Sequence, residues 1–176
     1  VAVRALAKHG EPSDALLITP HLDHPNEKVR WEAAKGLQRL HNPDAVDPLL
    51  ETLINEDADR DVRTAAAIAL GQYREDRVFQ GLVAALDSIE LSVNRASQRS
   101  LRTLTGRDFG LDQASWLTWY TSTIGEERFA DAEPYSYPTY ERDRSWVERL
   151  AFWTVAIREE PGPPAGLEDT RRRSTY

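Results

Sequence analysis

Leu6, Leu37, Leu70 and Leu101 stand 31, 33 and 31 residues apart. Val29, Val62 and Val93 keep the same step, and so do the series Ala15, Val46, Val78 and Leu22, Leu53, Leu86. VRWEAAKGLQRL (29–40) aligns on that step with VRTAAAIALGQY (62–73) and, more weakly, with VNRASQRSLRTL (93–104). A period of this size marks a chain whose units bury their apolar faces only by stacking on one another. Within a unit Val29, Ala33, Leu37 and Leu40 recur at helical spacing, so the stacking units are helices and the fold class is all-α.

The breaks between apolar stripes carry turn chemistry. In HNPD (41–44) Asn42 is placed to cap a helix with Pro43 at its first position, and HPNE (24–27) stops one helix and starts another. Units such as DAVDPLLETLINEDADRDVRTAAAIALGQY (44–73) resemble HEAT repeats, specifically the short bacterial variety also found in phycobilin-lyase-like proteins. The resemblance covers residues 1–104. It implies a right-handed α-solenoid of about three and a half helix pairs. First helices over 12–23, 44–55 and 76–88 would form the convex side, and second helices over 28–40, 61–73 and 92–104 the concave side. Val1 aligns with Glu32, inside a second helix, so part of a repeat or a covering partner is expected ahead of it.

LTGRDFGLDQASWLTWY (104–120) breaks the pattern. Thr105-Gly106 is a glycine-type helix stop, and Asp112 can cap a short helix that puts Trp116, Trp119 and Tyr120 on one face. The last unit of an array has no following neighbour, and tryptophan covers much area with few residues, so 105–124 is expected to cap the array. The motif is similar to the C-terminal end of many bacterial HEAT-repeat proteins.

Composition narrows the function. A net charge of −7 argues against nucleic-acid binding through neutralised phosphates. Basic residues are 19 Arg against 3 Lys. Arginine favours fixed pairing with carboxylates and aromatic faces, although a coding bias toward Arg would look the same. There is no Cys, and no apolar run reaches the length of a membrane span. No Gly-rich phosphate loop and no Gly-x-Ser-x-Gly elbow occurs. His21 and His24 lack a third ligand nearby in sequence and read as a polar helix terminus rather than a metal site. Arg30 and Arg63 recur at the repeat period, and the resemblance implies an architectural ladder in which such arginines pair with an acidic loop residue of a neighbouring unit. No cofactor and no catalytic residue is expected.

Residues 125–176 read as an appended arm. Eleven of the fifteen aromatics fall between Phe109 and Trp153. EPYSYPTYERD (133–143), with Tyr135, Tyr137 and Tyr140, is expected to be extended, lying either on its own solenoid or on another subunit. SWVERLAFWTVAIREE (145–160) is expected to form an amphipathic helix over 145–158 with Trp146, Leu150, Trp153 and Ile157 in one stripe. PGPPAGLEDTRRRSTY (161–176) is expected to be an irregular, flexible tail.

Stepping by the period along the second helices gives three rows of expected surface positions: Trp31, Thr64, Arg95; Lys35, Ile68, Arg99; and Arg39, Gln72, Thr103. The candidate partner-binding residues are Trp31, Lys35, Arg39, Arg95 and Arg99 on this face, with Tyr135, Tyr137, Tyr140, Trp146 and Trp153 on the arm. Trp31 packing against an inter-repeat loop is the bland alternative. The expectation is a non-enzymatic protein–protein interaction module, an accessory or scaffold subunit whose partners are other protein subunits of a larger bacterial assembly. Association at the periphery of a membrane complex stays open. The resemblance also implies a second function, a lyase or chaperone holding a tetrapyrrole or other prosthetic group during attachment. Relatives of this kind are often exported, which implies the cell envelope ahead of the cytoplasm.

Overall fold

Helix pairs follow one another along the chain as the 31–33-residue step requires. The computed structural model describes residues 2–139 and 161–167, which contain eight α-helices and no strands. Second helices are α1 (Ala2–His9), α3 (Glu27–Gly36), α5 (Arg60–Leu70) and α7 (Leu91–Thr105), with α5 packed between α3 and α7. First helices centre on α2 (Ala15–Ile18), α4 (Val46–Ile54) and α6 (Asp76–Ala84), each lengthened by 3-10 turns. The result is an α-solenoid.

Local chemistry sets the helix boundaries. Asn26 caps α3 by accepting the Lys28 amide, and Asn42 accepts the Asp44 amide ahead of α4. Pro20 has no amide to give the Leu16 carbonyl, and the Thr19 hydroxyl donates to that oxygen instead at 3.2 Å. The α2 stretch therefore runs on as a 3-10 turn, Thr19–Asp23.

The landmark residues form the core. Leu37, Leu70 and Leu101 are fully buried, as are Ala15, Val46, Val78 and Leu53. Buried polar side chains stitch one second helix to the next. Gln38 Nε2 donates to the Ala65 carbonyl, Gln72 Nε2 to the Leu37 carbonyl, and Ser100 Oγ to the Ala67 carbonyl. The Leu37 and Ala67 carbonyls lie near helix ends and the Ala65 carbonyl within α5, and each buried donor thereby has an acceptor.

After α7 the chain reverses at Gly106, whose φ of 67° is left-handed. Asp112 then caps α8 (Gln113–Ser122) by accepting the Ala114 and Ser115 amides. Trp116 is fully buried and donates Nε1–H to the Gly110 carbonyl. Phe79 of α6 stacks on Tyr120 at 4.6 Å and meets Trp116 edge-on, so α8 covers the outer side of α6. A 3-10 turn, Gly125–Phe129, follows, and Arg128 from it binds both carboxylate oxygens of Asp76.

Candidate protein-binding surface

The inter-repeat loops carry an arginine ladder. Arg30 pairs with Asp59, the N-cap of α5, while its Nη1 donates to the His24 carbonyl at 2.7 Å. One period later Arg63 pairs with Glu90, the N-cap of α7, at 2.8 Å, and its Nε donates to the Leu53 carbonyl. The Ser88 hydroxyl and then the Arg63 guanidinium hold the Glu90 carboxyl below its ordinary range. These arginines are structural. His24 accepts the Asn26 amide on Nδ1, and no group of three metal-ligating side chains is assembled among the described residues.

The second-helix face divides into an open part and a covered part. Arg95 and Arg99 are exposed one turn apart on α7. Thr64 and Ser92 share a hydrogen bond of 3.1 Å beside them. Trp31 is half-buried, with the Lys35 ammonium 4.0 Å above its ring. Glu32 pairs with Arg4, which holds its carboxyl below the usual value.

The third row behaves differently. Gln72 is buried and engaged with Leu37, Ala69 and His41, so its expected surface place is corrected. The physical reason is the helix end. α5 stops at Leu70, and the following turn rotates Gln72 inward. Arg39 also lies beyond its helix, and its guanidinium sits 4.6 Å from the Tyr137 ring. Thr103 gives its carbonyl to the Glu133 amide at 2.8 Å.

The arm is what covers this row. Asp131 and Glu133 pair with Arg107 and Arg102, and the chain then passes through half-buried Tyr135 to Tyr137. The Tyr137 amide donates to the Gly162 carbonyl at 3.0 Å. Residues 161–167 were expected in a flexible tail, yet Ala165 forms a parallel bridge with Leu40. Its amide donates to the Arg39 carbonyl and its carbonyl accepts from His41. The turn after α3 leaves those backbone groups free to pair, which the apolar pattern does not reveal. Tyr140, Trp146 and Trp153, with the expected helix over 145–158, lie outside the described residues.

Sequence reasoning missed His41 and Tyr73. Their rings stack at 4.8 Å, and the Tyr73 hydroxyl donates to the Asn42 carbonyl. Burial lowers the His41 value against a smaller opposing effect of Gln72, and it pushes the Tyr73 phenol up to about 12. The only sequence signal was that Tyr73 stands one period after Leu40.

A family model of HEAT repeats matches residues 15–102, the span in which these helix pairs stack. The chain belongs to the HEAT-repeat family. No curated protein matches it. HEAT repeats generally mediate protein–protein interaction, and the family is generally non-catalytic. No helix among the described residues of this HEAT chain is long and apolar enough to cross a membrane.

Proposed function

We propose that this chain is a non-catalytic accessory subunit whose second-helix face binds an acidic segment of a partner protein in a larger assembly. Family membership supports the protein-binding role. The observation that carries the finer reading is the state of Arg95 and Arg99. Arg4, Arg30, Arg60, Arg63, Arg77, Arg102, Arg107 and Arg128 all have carboxylate partners. Arg95 and Arg99, on the open face, have none among the described residues.

A net charge of −7 repels an acidic partner at long range, but screening confines each charge to about 8 Å at physiological salt. At contact distance the local arginines decide, and their planar forks suit carboxylates. Trp31 and Lys35 extend the second-helix face with an aromatic and a third cation, the Lys35 ammonium lying over the Trp31 ring.

Affinity purification from native cells with quantitative mass spectrometry tests this, comparing wild type with R95E/R99E. The same subunit should co-purify with wild type and fall by about tenfold or more in the variant, since each lost charge-assisted contact contributes about 1 kcal/mol or more. Circular dichroism should be unchanged. A partner retained equally by both proteins would remove this face from the interaction.

A further inference from the structure

Units of a solenoid touch nearest neighbours, so bending is spread over successive interfaces and meets little resistance. Here an additional connection joins units that are not neighbours. The Glu133 amide is fixed on the Thr103 carbonyl in the last turn of α7, and four residues later Tyr137 packs on Arg39, just past α3. Four extended residues cover about 13 Å. Helix spacings of about 8–10 Å put α3 and α7 roughly two steps apart, a gap closed by that length plus the Tyr137 and Arg39 side chains.

The far end is anchored twice. Tyr137 holds the second segment through the Gly162 carbonyl, and Ala165 pairs with the backbone of Arg39 and His41. Next to it Gly166 has a φ of 91°, a conformation that favours glycine, and a Cβ there would stand 2.6 Å from Pro12 Cγ and 3.0 Å from the His41 carbonyl. The site accepts only a residue without a side chain.

We infer that 131–139 and 161–167 together form a clasp that fixes the separation of α3 and α7 and thereby the curvature of the array. The clasp grips the C-terminal ends of the second helices and lies against Pro12 ahead of α2. Releasing it leaves the N-terminal ends of α3 and α7, where Lys28 and Leu91 are exposed, held without the clasp by α5 packing and the Arg30–Asp59 and Arg63–Glu90 pairs, so their separation varies more widely. This inference does not depend on any partner.

The full chain contains no cysteine, so K28C/L91C takes two nitroxide labels without background. Pulsed electron resonance should give one narrow distance of about 20 Å, two helix spacings. Two releasing substitutions are added in turn, Gly166→Val and Tyr137→Ser, both outside the helical repeats. Each should speed exchange of the His41 amide by about tenfold or more, broaden the distance distribution and shift its mean. Unchanged distances after His41 has lost protection would overturn the clasp. So would His41 protection surviving both substitutions, because those contacts would then not be what holds the segment.

Discussion

Arg63 donates from Nη1 to a Glu90 carboxylate oxygen at 2.8 Å and from Nε to the Leu53 carbonyl at 3.0 Å. One buried guanidinium therefore closes the end of α4 and fastens the cap of α7 in the following unit. Arg63→Ala leaves the Leu53 carbonyl without this donor and Glu90 without its cation, and should lower the unfolding free energy by about 2–3 kcal/mol. Arg30→Ala removes the same arrangement where the side chain is 24% exposed, and about 1 kcal/mol is expected. Among the described residues Arg60 pairs only with its exposed neighbour Asp61, and its removal should leave the urea midpoint in place. Equal effects at all three positions would show that the ladder contributes no inter-repeat stability.

His41 and Tyr73 predict a stability curve that falls at both ends. Burial depresses the His41 value below 6.5 in the fold, so the unfolded chain takes up that proton more readily. The contribution is present above pH 6.5 and is lost as pH falls from there through the folded value. Tyr73 works in the opposite sense. Its folded value is raised from 10.0 to about 12, so its contribution is present below pH 10.0 and is lost as pH rises through about 12. Thermal melts of wild type and His41→Gln across pH 5–8 (roughly the range in which histidine titrates) test the acid limb. The variant should lack the wild-type decline just below pH 6.5. Absorbance titration at alkaline pH, with Tyr73→Phe as control, tests the other limb. If the absorbance that Tyr73→Phe removes titrated near 10 instead of about 12, the buried phenol would be contradicted.

The repeat was legible because it rests on burial. Leu37, Leu70, Leu101, Val46 and Val78 were found by spacing alone, and each is fully enclosed. The caps at Asn42 and Asp112 were equally legible, since a short polar side chain ahead of a helix has few other uses. What failed was extrapolation past a helix end. Arg39 and Gln72 were placed by helical phase, but α3 and α5 stop at Gly36 and Leu70, and the turn that follows changes the phase. The course of the arm was not legible because its side-chain pairs, Asp131 with Arg107 and Glu133 with Arg102, join residues far apart in sequence, and the bonds that place 161–167 are made by backbone atoms, which carry no residue code. Ala165 on Leu40 is a contact that many side chains would permit. The exposure of Arg95 and Arg99 was legible because both lie well inside α7, where helical phase holds.

Trp116 predicts how α8 depends on a single side chain. It is fully buried, edge-on to Phe109 at 4.9 Å, with its Nε1–H on the Gly110 carbonyl. Trp116→Ala should cost about 3–5 kcal/mol, the range for removing a large buried aromatic. Trp116→Phe keeps most of the apolar area but leaves the Gly110 carbonyl without its donor, and about 1–2 kcal/mol is expected. Hydrogen exchange should show α8 and the Phe79 region of α6 losing protection first. A uniform loss across α3 to α8 would instead make Trp116 part of one indivisible core.

Gly106 separates two physical reasons for a glycine at the end of α7. Its φ of 67° disfavours most side chains, and a Cβ built there would overlap the Asp131 carbonyl and crowd the Asp131 Cβ. Asparagine tolerates positive φ far better than alanine does, yet it brings the same Cβ. If backbone conformation dominates, Gly106→Asn should be nearly neutral while Gly106→Ala costs about 1–2 kcal/mol. The overlap with a backbone carbonyl, which cannot rotate away as a side chain would, argues for the other outcome. Both variants should be destabilised to a similar degree, and both should push Asp131 outward. That displacement should weaken the Arg107–Asp131 pair and the Glu133 bond to Thr103, seen as faster exchange of the Glu133 amide. Asparagine matching wild type in the denaturation midpoint and in Glu133 exchange would show that the chain after α7 follows the glycine's backbone angle and not its missing side chain.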